Sequence, residues 1–133
     1  GVDLSSRMLR KAQATGNYDA VVQQEVRQFL AGTPETFDLV VAADVFIYVG
    51  ALDEVFAGLA AHMPAGGAFA FSVEDSGGPQ LQLRSSLGYA HSEEGVRRLA
   101  QANGFRVPHL AKRPLRQEQE TRGAGLFVWL EKV

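Results

Sequence analysis

The chain has 133 residues, of which 46% are hydrophobic and 21% are charged, a composition typical of a soluble globular protein. Its 13 Lys and Arg residues against 15 Asp and Glu residues leave a formal charge of −2, without the basic stripe that neutralises nucleic-acid phosphates. No apolar run approaches the roughly 18 residues of a membrane span. Because cysteine is absent, disulfides, a thiolate nucleophile and cysteine-based zinc sites are excluded.

These values predict one domain with no role in a membrane, and they offer no evidence for binding to nucleic acid. Residues 1–12 lack the basic start, apolar core and small-residue cleavage site of a secretory signal. The cytoplasm is therefore the expected compartment.

The start of the chain is typical of a strand end, a turn and a helix. Asp3 follows the strand, Ser5 or Ser6 is placed to cap the helix, and Gly16 is a plausible left-handed stop. The helix has an apolar side made of Met8, Leu9 and Ala12. An acid at the carboxyl end of a strand can accept hydrogen bonds from the hydroxyls of a nucleotide ribose. Asp3 is therefore a candidate ribose ligand.

The next two predicted strands also end at acids. Residues 18–23 predict a short strand that Glu25 follows, with a brief helix or turn after it. Residues 37–43 form a continuous apolar run, which is typical of a strand buried on both faces of a parallel sheet. That strand ends at Asp44.

Residues 51–63 carry apolar side chains at spacings of three and four, which predict a helix that Pro64 ends. Residues 68–73 predict another strand buried on both faces. The polar residues 76–89 show no periodic pattern and predict either a mobile substrate loop or a plain surface loop.

Ser92 is placed to cap a further helix that Asn103 and Gly104 close. Residues 105–115 and 126–130 predict two strands of a terminal hairpin, joined by the charged, polar residues 116–125. The alternation of strands and helices predicts an α/β fold with a doubly wound, mostly parallel sheet that ends in a C-terminal antiparallel hairpin.

Three segments together resemble the class I S-adenosylmethionine-dependent methyltransferases, over essentially the whole chain. They are residues 1–5 with Met8 and Leu9, residues 37–45, and residues 63–67 followed by 69–74. More narrowly, residues 89–92 and 42–45 resemble predicted methyltransferases that are associated with tetratricopeptide repeats. The resemblance implies a Rossmann-like fold and S-adenosyl-L-methionine as the cofactor.

The resemblance also implies a cofactor site in the first part of the chain. Asp3 matches the acid that binds the ribose hydroxyls, and Leu4 with Met8 would line the adenine. Glu25 matches the acid that approaches the adenine amino group, with Val26 supplying backbone. The alternatives are structural: Asp3 as a helix cap, Met8 as a core residue and Glu25 as a helix acid without a ligand.

By the same resemblance, Ala42, Ala43 and Asp44 would lie under the cofactor near the transferred methyl group, and Tyr48 would belong to the substrate side. Asp44 and His91 are candidate catalytic residues, although Asp44 could simply cap the residues that follow. The histidines have no spacing that predicts a metal site.

The resemblance further implies a central strand with a glycine-rich turn before Asp3, which the 133 residues lack. We therefore expect residues 1–133 to be the larger, C-terminal part of a single methyltransferase domain that lacks its first central strand. Activity and cofactor binding of this chain alone are expected to be impaired. The exposed sheet edge is expected to cause self-association.

The predicted function is methyl transfer to an acceptor that the sequence does not identify, whether small molecule or macromolecule. Two alternatives stay open at this point. One is a nicotinamide-dependent oxidoreductase, which also places an acid on the adenosine ribose. The other is a noncatalytic α/β interaction module.

Overall fold

The computed structural model describes residues 1–84, 87–114 and 124–133, and the chain forms two compact units, Gly1–Glu35 and Thr36–Val133. The first unit contains two parallel strands and two helices. In chain order they are β1 (Val2–Asp3), α1 (Ser6–Ala14), β2 (Val22–Gln23) and α2 (Val26–Gly32).

Local sequence signals determine the limits of α1. The Ser5 hydroxyl accepts a hydrogen bond from the N–H of Met8 at 3.2 Å and so satisfies one of the free donors at the helix start. Gly16 follows the helix with a φ of 74°, a left-handed conformation that costs glycine little. Both predictions are confirmed.

The second unit is built around a mixed six-stranded sheet. Its elements are β3 (Leu39–Ala42), a 3₁₀ turn (Phe46–Tyr48), α3 (Asp53–Ala61), β4 (Ala68–Asp75), β5 (Gln82–Leu83), β6 (Tyr89–His91), α4 (Glu93–Ala102), β7 (Phe105–Pro114) and β8 (Ala124–Lys132). The sheet order is β5-β6-β4-β8-β7, with β3 also paired to β4. β3 and β6 run parallel to β4, whereas β8 is antiparallel to both β4 and β7.

The predicted α/β fold and the C-terminal antiparallel hairpin are therefore confirmed. The short antiparallel pair β5 and β6 was not predicted, because strands of two and three residues are too short to show an alternating pattern. Ser85, Ser86 and residues 115–123 lie outside the described residues, and these include most of the predicted charged, polar segment 116–125.

Phenylalanine side chains form the core of the second unit on one face of β4. Phe69 and Phe71 stack with their ring centroids 4.6 Å apart. Phe56 of α3 meets both rings edge-on, and so does Phe46 of the 3₁₀ turn. These contacts hold α3 and the 3₁₀ turn against the same face of the sheet.

The expectation that residues 37–43 are buried on both faces is wrong. Val41 is 66% exposed and Leu39 is 56% exposed, whereas Ala42 is buried. Ala42 pairs with Phe71 and thus faces the aromatic core, while Val41 pairs with Ala70 on the opposite face. Among the described strands β3 pairs only with β4, so its other edge is also unpaired. By contrast, both faces of β4 are largely buried, as predicted.

Within the described residues, no helix combines the length and the apolar character needed to cross a bilayer.

Candidate functional site

Asp3 lies at the carboxyl end of β1, with one side of its carboxylate engaged. Its Oδ1 accepts a hydrogen bond from the N–H of Ser5 at 2.7 Å. No described residue donates to Oδ2, and the side chain is exposed. Ser5, and not Asp3, is the N-cap of α1. The carboxylate thus stabilises the turn into α1 and keeps one oxygen available as a hydrogen-bond acceptor.

The turn after Asp3 is bound to the neighbouring strand and presents apolar side chains. The side-chain amide of Gln23 donates to the carbonyl oxygen of Leu4 at 3.1 Å. Leu4 is 66% exposed and Met8 is 53% exposed. Met8 is therefore not a core residue, and the two side chains form an accessible apolar surface next to the carboxylate in sequence.

Glu25 occupies the corresponding position after β2, and it caps α2. Its Oε2 accepts hydrogen bonds from the N–H groups of Arg27 and Gln28 at 3.0 and 3.3 Å, and its Oε1 accepts one from Arg27 Nε at 2.9 Å. Burial alone would raise the pKa of Glu25, but these hydrogen bonds and the Arg27 charge outweigh it and leave the pKa below its ordinary value. This geometry supports the structural alternative. Val26, half-buried, begins α2.

Because β1 and β2 are parallel and pair at Asp3 and Gln23, Asp3 and Glu25 follow the same end of this small sheet. Two acids are thus brought to one edge. Only Asp3 has a carboxylate oxygen without a described donor.

In the second unit, Asp44 follows β3 with an unusual backbone conformation. Its φ is 56°, a left-handed value that Asp tolerates better than most residues. Its N–H donates to the hydroxyl of the buried Ser72 on β4 at 3.1 Å. The 3₁₀ turn that follows has Val45 at its N-cap without a side-chain hydrogen bond, so Asp44 does not cap it. Among the described residues, nothing donates to the Asp44 carboxylate.

The neighbours of Asp44 differ in accessibility. The side chain of Ala42 is buried toward the aromatic core, whereas Ala43 is exposed and lines an open apolar cavity of about 300 Å³ beside Trp129. Tyr48, on the 3₁₀ turn, is 80% exposed. Ala43, Asp44 and Tyr48 are accessible to a ligand, but the Ala42 side chain is not.

His91 is the most buried of the predicted site residues and has a structural partner. Its Nε2 lies 3.3 Å from the carbonyl oxygen of Phe46 and 3.2 Å from that of Val49. Since carbonyl oxygens only accept, we assign the proton of the neutral ring to Nε2. Burial lowers the pKa of His91 below its ordinary value, and the two hydrogen bonds offset only part of that effect. His91 therefore holds the 3₁₀ turn as a neutral imidazole.

The sequence analysis did not predict a charged cluster that lies at the carboxyl end of β4. The buried Asp75 lies 3.4 Å from the Lys112 ammonium, and Arg84 Nη2 donates to the Asp75 carbonyl oxygen at 2.9 Å. Arg84 Nε lies 3.7 Å from the Glu74 carboxylate. The acidic pair after an apolar strand was visible in the sequence. Its basic partners could not be recognised from the sequence, because they come from distant positions.

In the described part of the chain, no group of acids and histidines is arranged to hold a metal ion.

A family model described as a methyltransferase domain matches residues 1–71. The chain therefore belongs to the methyltransferase domain family, and the resemblance to class I S-adenosylmethionine-dependent methyltransferases is confirmed. The narrower likeness to methyltransferases associated with tetratricopeptide repeats stays a prediction. No curated protein matches the chain significantly.

Solved methyltransferase structures share the fold at low sequence identity. N-methyltransferase NodS from Bradyrhizobium japonicum WM9, in complex with S-adenosyl-L-homocysteine, is 18% identical with a TM-score of 0.73; the match covers 98% of this chain and 64% of NodS. Magnesium protoporphyrin IX methyltransferase from Synechocystis PCC 6803, with bound S-adenosylmethionine, is 19% identical with a TM-score of 0.70, and the match covers 100% of this chain and 58% of that enzyme.

An S-adenosylmethionine-dependent methyltransferase from Clostridium acetobutylicum ATCC 824 is 16% identical with a TM-score of 0.71, over 98% of this chain and 73% of that one. The chain thus spans less than two thirds of NodS and of the Synechocystis enzyme.

Proposed function

We propose that the protein carrying this chain transfers methyl groups from S-adenosyl-L-methionine to an acceptor. Family membership supports methyl transfer over the nicotinamide-dependent and noncatalytic alternatives. When bound, S-adenosyl-L-methionine supplies an activated methyl group on a sulfonium centre. Because the chain spans only part of two of the similar enzymes, the proposal concerns the full-length protein.

The observation that carries the proposal is the Asp3 carboxylate. Oδ1 is held by Ser5, so the group has a defined orientation, and Oδ2 has no described donor. A ribose presents two hydroxyl donors, which match the remaining acceptor capacity of this carboxylate. The exposed Leu4 and Met8 provide apolar surface suited to a flat adenine. The residues present therefore fit the nucleoside part of the cofactor.

Other residues have smaller roles in this proposal. Glu25 acts first as the cap of α2, and its spare lone pairs are the acceptors available to an adenine amino group. Val26 contributes backbone at the start of α2. Ala43 and Asp44 form the accessible end of β3, where Asp44 is the candidate proton acceptor.

The substitution Asp3→Asn tests the proposal with little change to the fold. Asn retains an oxygen that accepts from the Ser5 N–H, but it places an NH₂ donor where Oδ2 was. A hydrogen bond to a charged group contributes about 1.5 to 3 kcal/mol, so we expect the affinity for S-adenosylhomocysteine to fall about 10- to 150-fold. Isothermal titration calorimetry on the full-length protein measures this change.

Asp19→Asn is the matched control, because Asp19 is an exposed acid of the same unit that lies outside both strands. We expect it to bind the ligand as the wild type does. Equal affinity in the wild type and the Asp3→Asn variant would remove Asp3 from the site, and a full-length protein that binds no S-adenosylhomocysteine would overturn the proposal.

A further inference from the structure

A second cavity lies beside His91, within the larger unit. It has a volume of about 330 Å³ and is enclosed by the residues before α3, the loop after β4 and the first turns of α4. Its lining includes Gly50, Leu52, Gln80, His91, Gly95 and Arg98. Ligand pockets usually measure about 300 to 1,000 Å³. This volume lies at the lower end of that range.

The buried imidazole of His91 lines this cavity and has one ring nitrogen without a partner in the described part of the chain. Its Nε2–H is directed to the carbonyl oxygens of Phe46 and Val49, so the lone pair of the neutral ring is on Nδ1. No described residue donates to Nδ1. Among the described residues, the one fully buried side-chain polar atom without a hydrogen-bond partner is Arg84 Nε. Nδ1 is therefore unpaired and still accessible, and His91 lines the cavity.

The beginning of α4 forms another wall. Ser92 caps this ten-residue helix by accepting a hydrogen bond from the N–H of Gly95 at 2.9 Å. A Cβ atom added to Gly95 would lie 2.7 Å from the Ser92 hydroxyl, so the glycine permits this close cap. The exposed Gln80 and Arg98 add an amide and a cation to the lining. The cavity thus combines apolar surface, the acceptor nitrogen of a buried histidine and polar groups around it.

We infer that the His91 cavity binds a small molecule whose hydroxyl or amino group donates a hydrogen bond to His91 Nδ1. An acceptor-only nitrogen selects such donors, because a ligand without a donor would cover this nitrogen and leave it unpaired. His91 serves both as the anchor of the 3₁₀ turn and as the binding group.

Phenol and anisole are a matched pair of probes for this site. They share the aromatic ring, but only phenol has an O–H donor. With the ¹⁵N-labelled 133-residue chain and no cofactor, we expect phenol to shift the His91 Nδ1 and Gly95 amide resonances saturably. Anisole should bind about fivefold more weakly, the ratio expected for one hydrogen bond of ordinary strength. Equal shifts with both probes, or none with phenol, would overturn the inference.

Ala51→Trp fills the cavity without changing His91, because Ala51 is an exposed residue of the lining. Ala57→Trp is its control, since Ala57 is exposed on α3 and is not part of the lining. We expect the first variant to lose the phenol shifts and the second to retain them. His91→Gln, which keeps an N–H donor for the turn, should abolish the preference for phenol over anisole. If Ala51→Trp bound phenol like the control, the cavity would not be the site.

These outcomes are distinguishable from failure of the proposed function. A full-length protein that binds S-adenosylhomocysteine but gives no phenol shift overturns only the cavity assignment. A chain that binds phenol at His91, in a protein that does not bind S-adenosylhomocysteine, retains the small-molecule site and overturns only the proposed function.

Discussion

The buried His91 should make folding stability depend on pH, because burial lowers the pKa of its imidazole on folding. In the unfolded chain its pKa lies near the ordinary value of 6.5, whereas burial lowers the pKa in the folded state. As the pH falls below 6.5, the unfolded state binds a proton that the native state does not. The free energy of unfolding therefore decreases with acidification, and this loss ends below the folded-state pKa.

The size of the effect follows from the linkage relation. Because the unfolded chain titrates near 6.5, the free energy of unfolding falls by at most about 1 kcal/mol between pH 6.5 and 5.5, with a limiting slope of about 1.4 kcal/mol per pH unit. Glutamine does not titrate, and it can still donate to the carbonyl oxygens of Phe46 and Val49. His91→Gln should therefore remove this contribution.

Urea denaturation of the wild type and His91→Gln at pH 5.5, 6.5 and 7.5 measures the difference. His109→Gln is the control, because His109 is exposed on β7. We expect the control to lose stability with acid as the wild type does, and His91→Gln to lose less stability, by up to about 1 kcal/mol. The same pH dependence in all three proteins would refute the assignment of a neutral, buried imidazole.

Three further substitutions test the caps and the sheet edge. Ser92→Ala removes the hydrogen bond to the Gly95 N–H and should lower the free energy of unfolding by about 1 kcal/mol; unchanged urea midpoints would show that the cap contributes nothing. Glu25→Ala should cost a similar amount, because Glu25 caps α2, and a variant as stable as the wild type would contradict that role. Val41→Lys places a charge beside the unpaired edge of β3, so we expect sedimentation velocity to show weaker self-association; a wild-type chain that remains monomeric at every concentration would contradict the expected association.

The predictions that the structure confirms depend mainly on local signals. Ser5 and Ser92 cap helices because their hydroxyls reach N–H groups three residues ahead, a geometry contained in a few consecutive residues. Gly16 adopts positive φ for an equally local reason. The terminal hairpin follows from two apolar strands separated by a polar segment. Each feature needs only short-range sequence.

The errors and omissions concern contacts between distant residues. The apolar pattern of residues 37–43 indicates a strand but does not show which neighbours cover it, and Val41 is in fact exposed. The Asp75–Lys112 contact joins positions 37 residues apart in sequence. An acid after a strand can bind a ligand or cap a helix, and only the hydrogen bonds distinguish Asp3 from Glu25.

The sequence by itself determined the family, the order of most strands and helices, and the acid at the end of the first strand. These features depend on residue type, period and caps, all of which are local properties. The tertiary structure decided that Glu25 caps its own helix, that one face of β3 is open, and that His91 donates to the turn after β3 while its other nitrogen is accessible. Each of these depends on which distant groups meet in space, and a single sequence does not state that.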